Sequence, residues 1–226
     1  MTNELIVELD PKSNVAEALR IVRTNLQFSA VDEKLKTILV TSSVPGEGKS
    51  FISSNLAITF AQNNSKVLLI DCDMRKGRLH KIFNVNNDKG LSNLLIDEIN
   101  TDLKQYIQKT DIDNLSVITM GTVPPNPSEL LASAKHKVVM EMLKNKFDYI
   151  IYDGTPVNPV TDSIIMASLV DKVVIVSAIG DTDVETLQNT KQSLDNVNAN
   201  IAGVVANKAP YTSGNYYGYY GYYGEN

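Results

Sequence analysis

Tryptophan is absent from the 226-residue sequence, cysteine occurs once, and arginine occurs only at positions 20, 23, 75 and 78. A single cysteine excludes a disulfide framework and any all-cysteine metal site within one chain, and it cannot supply the cysteine pair that a subunit-bridging metallocluster needs. No apolar run approaches the roughly eighteen residues of a membrane-spanning helix. The opening MTNELIVELDPKSN lacks the basic, apolar and small-residue order of a signal peptide, so a cytosolic chain is expected. The net charge of -5 offers no basic excess for general nucleic-acid binding, and no nucleic-acid partner is expected. No internal repeat is visible.

What is present is ample for a core: 43% of the residues are apolar, which excludes wholesale disorder. Tyrosine is unusual in amount and place. There are ten Tyr against five Phe, and seven of the ten crowd into YTSGNYYGYYGYYGEN at the C-terminus. That segment contains no Leu, Ile or Val and four Gly, so it has little to bury and much backbone entropy to lose. It reads as a flexible tail, 211–226, appended to one folded domain, 1–210.

Within 1–210, short apolar runs alternate with helical patterns. Residues 15–30 form an amphipathic helix pattern through Val15, Leu19, Val22 and Leu26. Strands are expected at 36–42, 66–73, 115–121, 148–153, 171–177 and 199–207. Helices are expected from the glycine loop to about Ala61 and at 127–146, 160–169 and 183–195. Asn126, Pro127 and Glu129 read as a helix start with a capping box. The alternation implies an α/β fold with a mostly parallel sheet and helices on both faces, and the phosphate loop at residues 42–50 makes it P-loop NTPase-like. Ligands bind beyond the carboxyl ends of such strands.

There the sequence places SSVPGEGKS, residues 42–50, between a strand and a helix. Its Gly48-Lys49-Ser50 ending matches a P-loop, with Ser43 where a first glycine usually stands. Gly46 and Gly48 let backbone N–H groups approach a polyphosphate, and the helix N-terminus adds its dipole. Lys49 is positioned for the β- and γ-phosphates of ATP, and the Ser50 hydroxyl for Mg²⁺. Ser43, Glu47 and Phe51 complete the nucleotide-binding candidates.

Carboxylates end two other strands: Asp71 and Asp73 the second, Asp153 the fourth. Asp71 is assigned to orienting or deprotonating the nucleophile, and Asp73 and Asp153 to the metal region. Arg75, Lys76 and Arg78 follow at once. With only four arginines in the chain, Arg75 in particular reads as a group that stabilises developing phosphoryl charge. Asp162 is either a partner to this site or a helix cap. Cys72 points away from its acidic neighbours and reads as packing, while His80 and His136 lack partners at metal-ligand spacing.

These motifs together resemble the cytoplasmic kinase subunit of the bacterial tyrosine kinases that control capsule and exopolysaccharide synthesis. The resemblance spans almost the full length. It rests on SSVPGEGKS, on Asp71, Asp73 and Arg75 in LLIDCDMRK, and on Asp153 in IIYDGTP. It rests also on GLSNLL (90–95), PPNPSELLAS (124–133) and the tyrosine cluster. Glu17, Arg20 and Arg23 match an EX₂RX₂R subunit-contact pattern. Three positions depart from the family pattern: Gly77 where proline is common, DGTP where DTPP is usual, and Phe51 where a small hydroxyl residue is frequent.

The resemblance implies ATP- and Mg²⁺-dependent phosphorylation of Tyr211, Tyr216, Tyr217, Tyr219, Tyr220, Tyr222 and Tyr223 between neighbouring subunits of a ring. It implies a membrane-spanning activator or adaptor that holds the protein at the inner face of the membrane, an opposing tyrosine phosphatase, and sugar-nucleotide enzymes as further substrates. It places Asn207 at the adenine edge, a loop-capping role being the alternative, and Lys208 in solvent or near the ribose. Two other functions fit a P-loop chain of this kind. One is a partition or septum-positioning ATPase, although Val44 stands where that class carries an extra lysine. The other is a nucleotide-dependent scaffold with weak kinase chemistry.

Overall fold

The computed structural model describes residues 4–29, 35–98 and 102–210; the tail tyrosines lie outside the described residues. Seven strands form one sheet: β1 (Thr37–Ser42), β2 (Val67–Asp71), β3 (Gln108–Lys109), β4 (Leu115–Ile118), β5 (Tyr149–Pro156), β6 (Lys172–Ala178) and β7 (Ile201–Asn207). Their spatial order is β3-β4-β2-β5-β1-β6-β7. Every pairing is parallel except that of β3 with β4. The six expected strands are all present, and β3 is an addition at one edge. β5 runs on past Asp153 to Pro156, and β2 stops at Asp71, so Asp73 sits beyond its strand.

The helices are α1 (Ile6–Leu9), α2 (Asn14–Phe28), α3 (Lys49–Gln62), α4 (Leu79–Ile82), α5 (Leu91–Ile96), α6 (Pro127–Ala132), α7 (Ala134–Lys144), α8 (Asp162–Ala167) and α9 (Val184–Asp195). The pleat sends successive strand residues to opposite faces. Ile38 and Val40 of β1 pack with Leu19, Leu26, Leu56 and Phe60 from α2 and α3. Leu39, between them, packs with Met140, Met166 and Leu194 from α7, α8 and α9. Burial on both faces explains why β1, β2 and β5 read as unbroken apolar runs.

α3 is itself buried over most of its surface, because α1 and α2 cover the side turned from the sheet. Asn55 on α3 is fully buried. It accepts from the Val7 amide at 3.0 Å and donates to the Glu4 and Phe51 carbonyls at 2.7 and 2.9 Å. This polar clasp fastens the N-terminal segment to the helix that follows the phosphate loop.

Two details differ from the sequence reading. The helix expected over 127–146 is broken at Ser133, which ends α6 and caps α7 by accepting from His136 N at 3.1 Å. The Asn126 side chain makes no cap to the backbone; it donates instead to Glu129 Oε2 at 2.5 Å. Pro127 does occupy the first turn.

Candidate active site

Parallel register brings the motifs together. Asp153 on the middle strand β5 is level with Asp71 on β2 and with Val40 on β1. The loop between β1 and α3 arches over this row. Gly46 and Gly48 have φ of +88° and +96°, a left-handed geometry that glycine adopts without steric cost. Gly48 stands at the N-cap of α3 with no side chain to bond the first-turn amides, which leaves them to an anion.

Glu47 holds this loop rather than facing its mouth. The side chain is buried, its Oε2 accepting from Val44 N at 2.8 Å and its Oε1 from Ala178 N at 3.1 Å and from the Thr182 hydroxyl. Asn207, at the end of β7, donates through Nδ2 to the Glu47 carbonyl at 2.8 Å. Ser43 is buried with no hydrogen-bond partner for its hydroxyl among the described residues, and its carbonyl accepts from Asn158 N at 3.2 Å.

Gly46, Gly48, Lys49, Ser50, Phe51, Asp73 and Arg75 line a cavity of about 450 Å³. Lys49 Nζ lies 3.5 Å from Asp73 Oδ2, and Asp73 Oδ1 accepts from the Arg75 and Lys76 amides at 3.2 and 2.9 Å. Arg78, also on this wall, pairs with Glu4 at 2.8 Å. A second cavity of about 510 Å³, lined by Phe51, Asn207, Lys208 and Pro210 among others, adjoins it through Phe51. Lys208 pairs with Asp181 at 2.7 Å.

Two of the acids are fully buried. Burial drives the Asp71 carboxyl well above its usual range. The neighbouring Asp153 charge adds to the effect, while the Leu79 amide, donating to Oδ2 at 3.0 Å, opposes it. Burial also raises Asp153, with the Lys49 charge working against it. The Ser50 and Ser53 hydroxyls lie close enough to Asp153 to oppose the rise as well, but neither reaches hydrogen-bond geometry with it, and the Ser53 hydroxyl donates to the Ser50 carbonyl at 3.2 Å. Both Asp153 oxygens are left without a hydrogen bond among the described residues. A buried carboxylate so placed is short of a cation or donor. With the Ser50 hydroxyl and Asp73, it is an all-oxygen donor set of the kind Mg²⁺ takes alongside phosphates.

Residues from the rest of the chain behave variously. Cys72 is buried among apolar side chains, as its strand face implied. His136 is buried with Nδ1 2.7 Å from the Leu131 carbonyl. Arg20 pairs with Glu17 at 3.1 Å and donates to the Pro11 carbonyl, and Arg23 donates to the Thr59 carbonyl at 2.7 Å. Asp162 bonds Arg75, which lines the cavity, and accepts from Ser128 behind it. Nothing local in the sequence marks Ser128, since its contact is made by tertiary packing.

An AAA domain family profile matches residues 35–204. The putative tyrosine-protein kinase CapB of Staphylococcus aureus is 39% identical over 213 residues, covering 94% of this chain and 92% of that protein. A solved structure of the chimerical protein CapA2B2 superposes with a TM-score of 0.88 at 36% identity, covering 93% of this chain and 92% of that one. The kinase domain of the Escherichia coli tyrosine kinase ETK gives a TM-score of 0.84 at 33% identity, covering 92% and 82%. No described helix is long and apolar enough to cross a membrane. With the phosphate loop, the strand-end acids and these likenesses in agreement, the chain belongs to the bacterial tyrosine-protein kinase family.

Proposed function

We propose that this ATP-dependent protein-tyrosine kinase phosphorylates the tyrosines of its own C-terminal segment, presented by a neighbouring copy, and thereby regulates capsular or exopolysaccharide synthesis. The observation that carries the chemistry is the pair of unpartnered, buried Asp153 oxygens beside Lys49 and Ser50, two residues that line a cavity of about 450 Å³. The phosphates of ATP lie along the 46–50 loop, where backbone amides and the α3 dipole receive them. The adenine occupies the second cavity, against Asn207 and Phe51.

Ser50, Asp73 and Asp153 are the residues that would hold Mg²⁺, which when bound neutralises charge on the β- and γ-phosphates. Lys49 neutralises the same oxygens from the side of α3. The phenolic oxygen of a tail tyrosine attacks the γ-phosphorus, the bond to the β–γ bridging oxygen breaks, and ADP departs. Tyrosine has a pKa near 10 in a model peptide, so its proton must leave as attack develops. Asp71 is the acceptor: its raised pKa makes it a stronger base than an ordinary carboxylate. Arg75 stabilises the charge spread over the transferring group.

The acceptor lies close in sequence to the site. Pro210, the residue before the first tail tyrosine, lines the second cavity. Sixteen residues extend to roughly 55 Å at most, enough to reach an adjacent subunit of a ring. Glu17, Arg20 and Arg23 are the proposed contacts of that ring. Each phosphate adds roughly -1.5 to -2 charges, so accumulated modification loosens the assembly and a phosphatase restores it. A membrane-spanning adaptor supplies the activating segment and holds the kinase at the inner membrane face, where sugar-nucleotide enzymes are further substrates.

The deciding experiment incubates the protein with Mg-ATP and the adaptor's cytoplasmic segment, then locates phosphate by site-resolved mass measurement. Phosphate on Tyr211–Tyr223, abolished by Lys49→Met, is expected. ATP hydrolysis without modified tyrosine overturns the reading in favour of a partition-type ATPase.

A further inference from the structure

Arg75 follows β2, and its guanidinium forms part of the wall of the 450 Å³ cavity. Its Nε donates to Asp162 Oδ2 at 3.2 Å and its Nη2 to Asp162 Oδ1 at 3.4 Å. Such a two-pronged contact fixes the plane of the group as well as the place of its charge. The partners differ sharply in exposure: the Arg75 side chain is 42% exposed and that of Asp162 2%. A third element also reaches the carboxylate. Ser128 Oγ, on α6, donates to Asp162 Oδ1 at 2.5 Å, and Thr161 Oγ1 lies 3.4 Å from Ser128 Oγ.

Asp162 is the first residue of α8, after the N-cap Thr161, where a carboxylate ordinarily faces its own helix's first-turn amides and dipole. Among the described residues its oxygens bond Arg75 and Ser128 across the site, and no amide of its own helix. A guanidinium has five N–H groups; two are used here, and three remain for an anion in the cavity.

We propose that Asp162 is a positioning residue for phosphoryl transfer: held by Ser128, it fixes the plane of the Arg75 guanidinium so that the remaining N–H groups face the transferring phosphate. The inference rests on the reading of Arg75 as the group that stabilises phosphoryl charge. Asp162 and Ser128 touch no substrate and act only through Arg75. Three segments far apart in sequence, the stretch after β2, α6 and α8, thus meet at one guanidinium. A lysine at position 75 cannot replace it, since an ammonium has no fork to be oriented.

The test compares the full chain with Arg75→Ala, Asp162→Asn, Ser128→Ala and the doubles in the Arg75→Ala background. Initial rates of phosphate incorporation from Mg-ATP are measured over a range of ATP concentrations. Asp162→Asn is expected to lower kcat about 10- to 100-fold with less than about a threefold change in KM for ATP, the size typical of a lost orienting partner. Ser128→Ala is expected to lower kcat about two- to fivefold. Neither substitution should slow Arg75→Ala further.

A fast Arg75→Ala overturns the reading of Arg75, and the positioning role with it. A slow Arg75→Ala with full rates in Asp162→Asn and Ser128→Ala overturns the positioning role alone. Losses that multiply in the doubles show Asp162 acting independently of Arg75 and overturn it too. Should Asp162→Asn fail to fold, Ser128→Ala decides by whether its loss vanishes in the Arg75→Ala background.

Discussion

Gly48 is packed against Asn207 so closely that a Cβ on the glycine would lie 2.1 Å from the Asn207 side-chain nitrogen. That nitrogen donates to the Glu47 carbonyl at 2.8 Å, so the last strand of the sheet braces the loop that begins the first helix of the site. Glu47 adds the same kind of brace from the end of β6.

Gly48→Ala meets two obstacles, the Asn207 amide and a φ of +96°. The backbone term alone costs roughly 1–2 kcal/mol, and the displaced Asn207 loosens the loop further. ATP affinity, measured by calorimetric titration, is expected to fall by about tenfold or more, which corresponds to about 1.4 kcal/mol. Adding Asn207→Ala should not restore the affinity, because the φ strain remains and the brace and proposed adenine contact of Asn207 are lost as well. Unchanged affinity in Gly48→Ala would show that the brace is unimportant.

Gly77 has a different constraint. A Cβ there would lie 2.5 and 2.6 Å from the two Asp71 carboxylate oxygens, so Gly77→Ala must displace the proposed proton acceptor. A misplacement of about 1 Å costs on the order of a hundredfold in rate. The expected result is a kcat lowered about tenfold or more, with ATP binding held within about threefold. Steady-state kinetics beside equilibrium nucleotide binding separate the two. Loss of binding equal to loss of rate would place Gly77 in the nucleotide site instead.

Asp153 trades stability for function. Its carboxyl is raised above the ordinary 3.8 by burial, so protonation favours the folded state. That advantage is complete below the ordinary value and is lost as pH rises through the folded value. Asp153→Asn escapes the loss and also removes the charge that helps raise Asp71, so both changes act in the same direction. In the absence of nucleotide, the variant's thermal midpoint should therefore gain on the parent's as pH rises above about 4, by roughly 2–4 °C per kcal/mol. Its kinase activity should vanish. A midpoint difference that stays flat or shrinks over this range would sink the idea that Asp153 is held ionised against its surroundings.

The strands were legible because parallel strands covered on both faces must be apolar throughout, as VLLI before Asp71 and YIIY before Asp153 are. β3 was not, since a two-residue edge strand of Gln108 and Lys109 leaves no hydrophobic signature. The break between α6 and α7 escaped for a related reason. Ser133 interrupts the helix without glycine or proline, by bonding to the His136 amide and turning its own backbone to an extended ψ of 151°. At the site, Lys49, Ser50, Asp71, Asp73 and Asp153 were readable from motif spacing and strand ends. Glu47 was read as a nucleotide contact from its place inside the motif, whereas its side chain braces the loop from behind.

By itself the sequence determined the layered α/β architecture and the phosphate loop, and it showed seven of the ten tyrosines crowded into the last sixteen residues. These are consequences of local pattern: strand hydrophobicity, glycine at turns and the composition of one segment. Only tertiary structure decided which face each polar group uses. Parallel register set Asp71 level with Asp153 and left the Asp153 oxygens without partners. Packing of α6 against α8 joined Ser128 to Asp162, and Asp162 in turn to Arg75. Such contacts link residues whose separation along the chain carries no periodic signal, so their physical meaning appears only when burial removes water as the alternative partner.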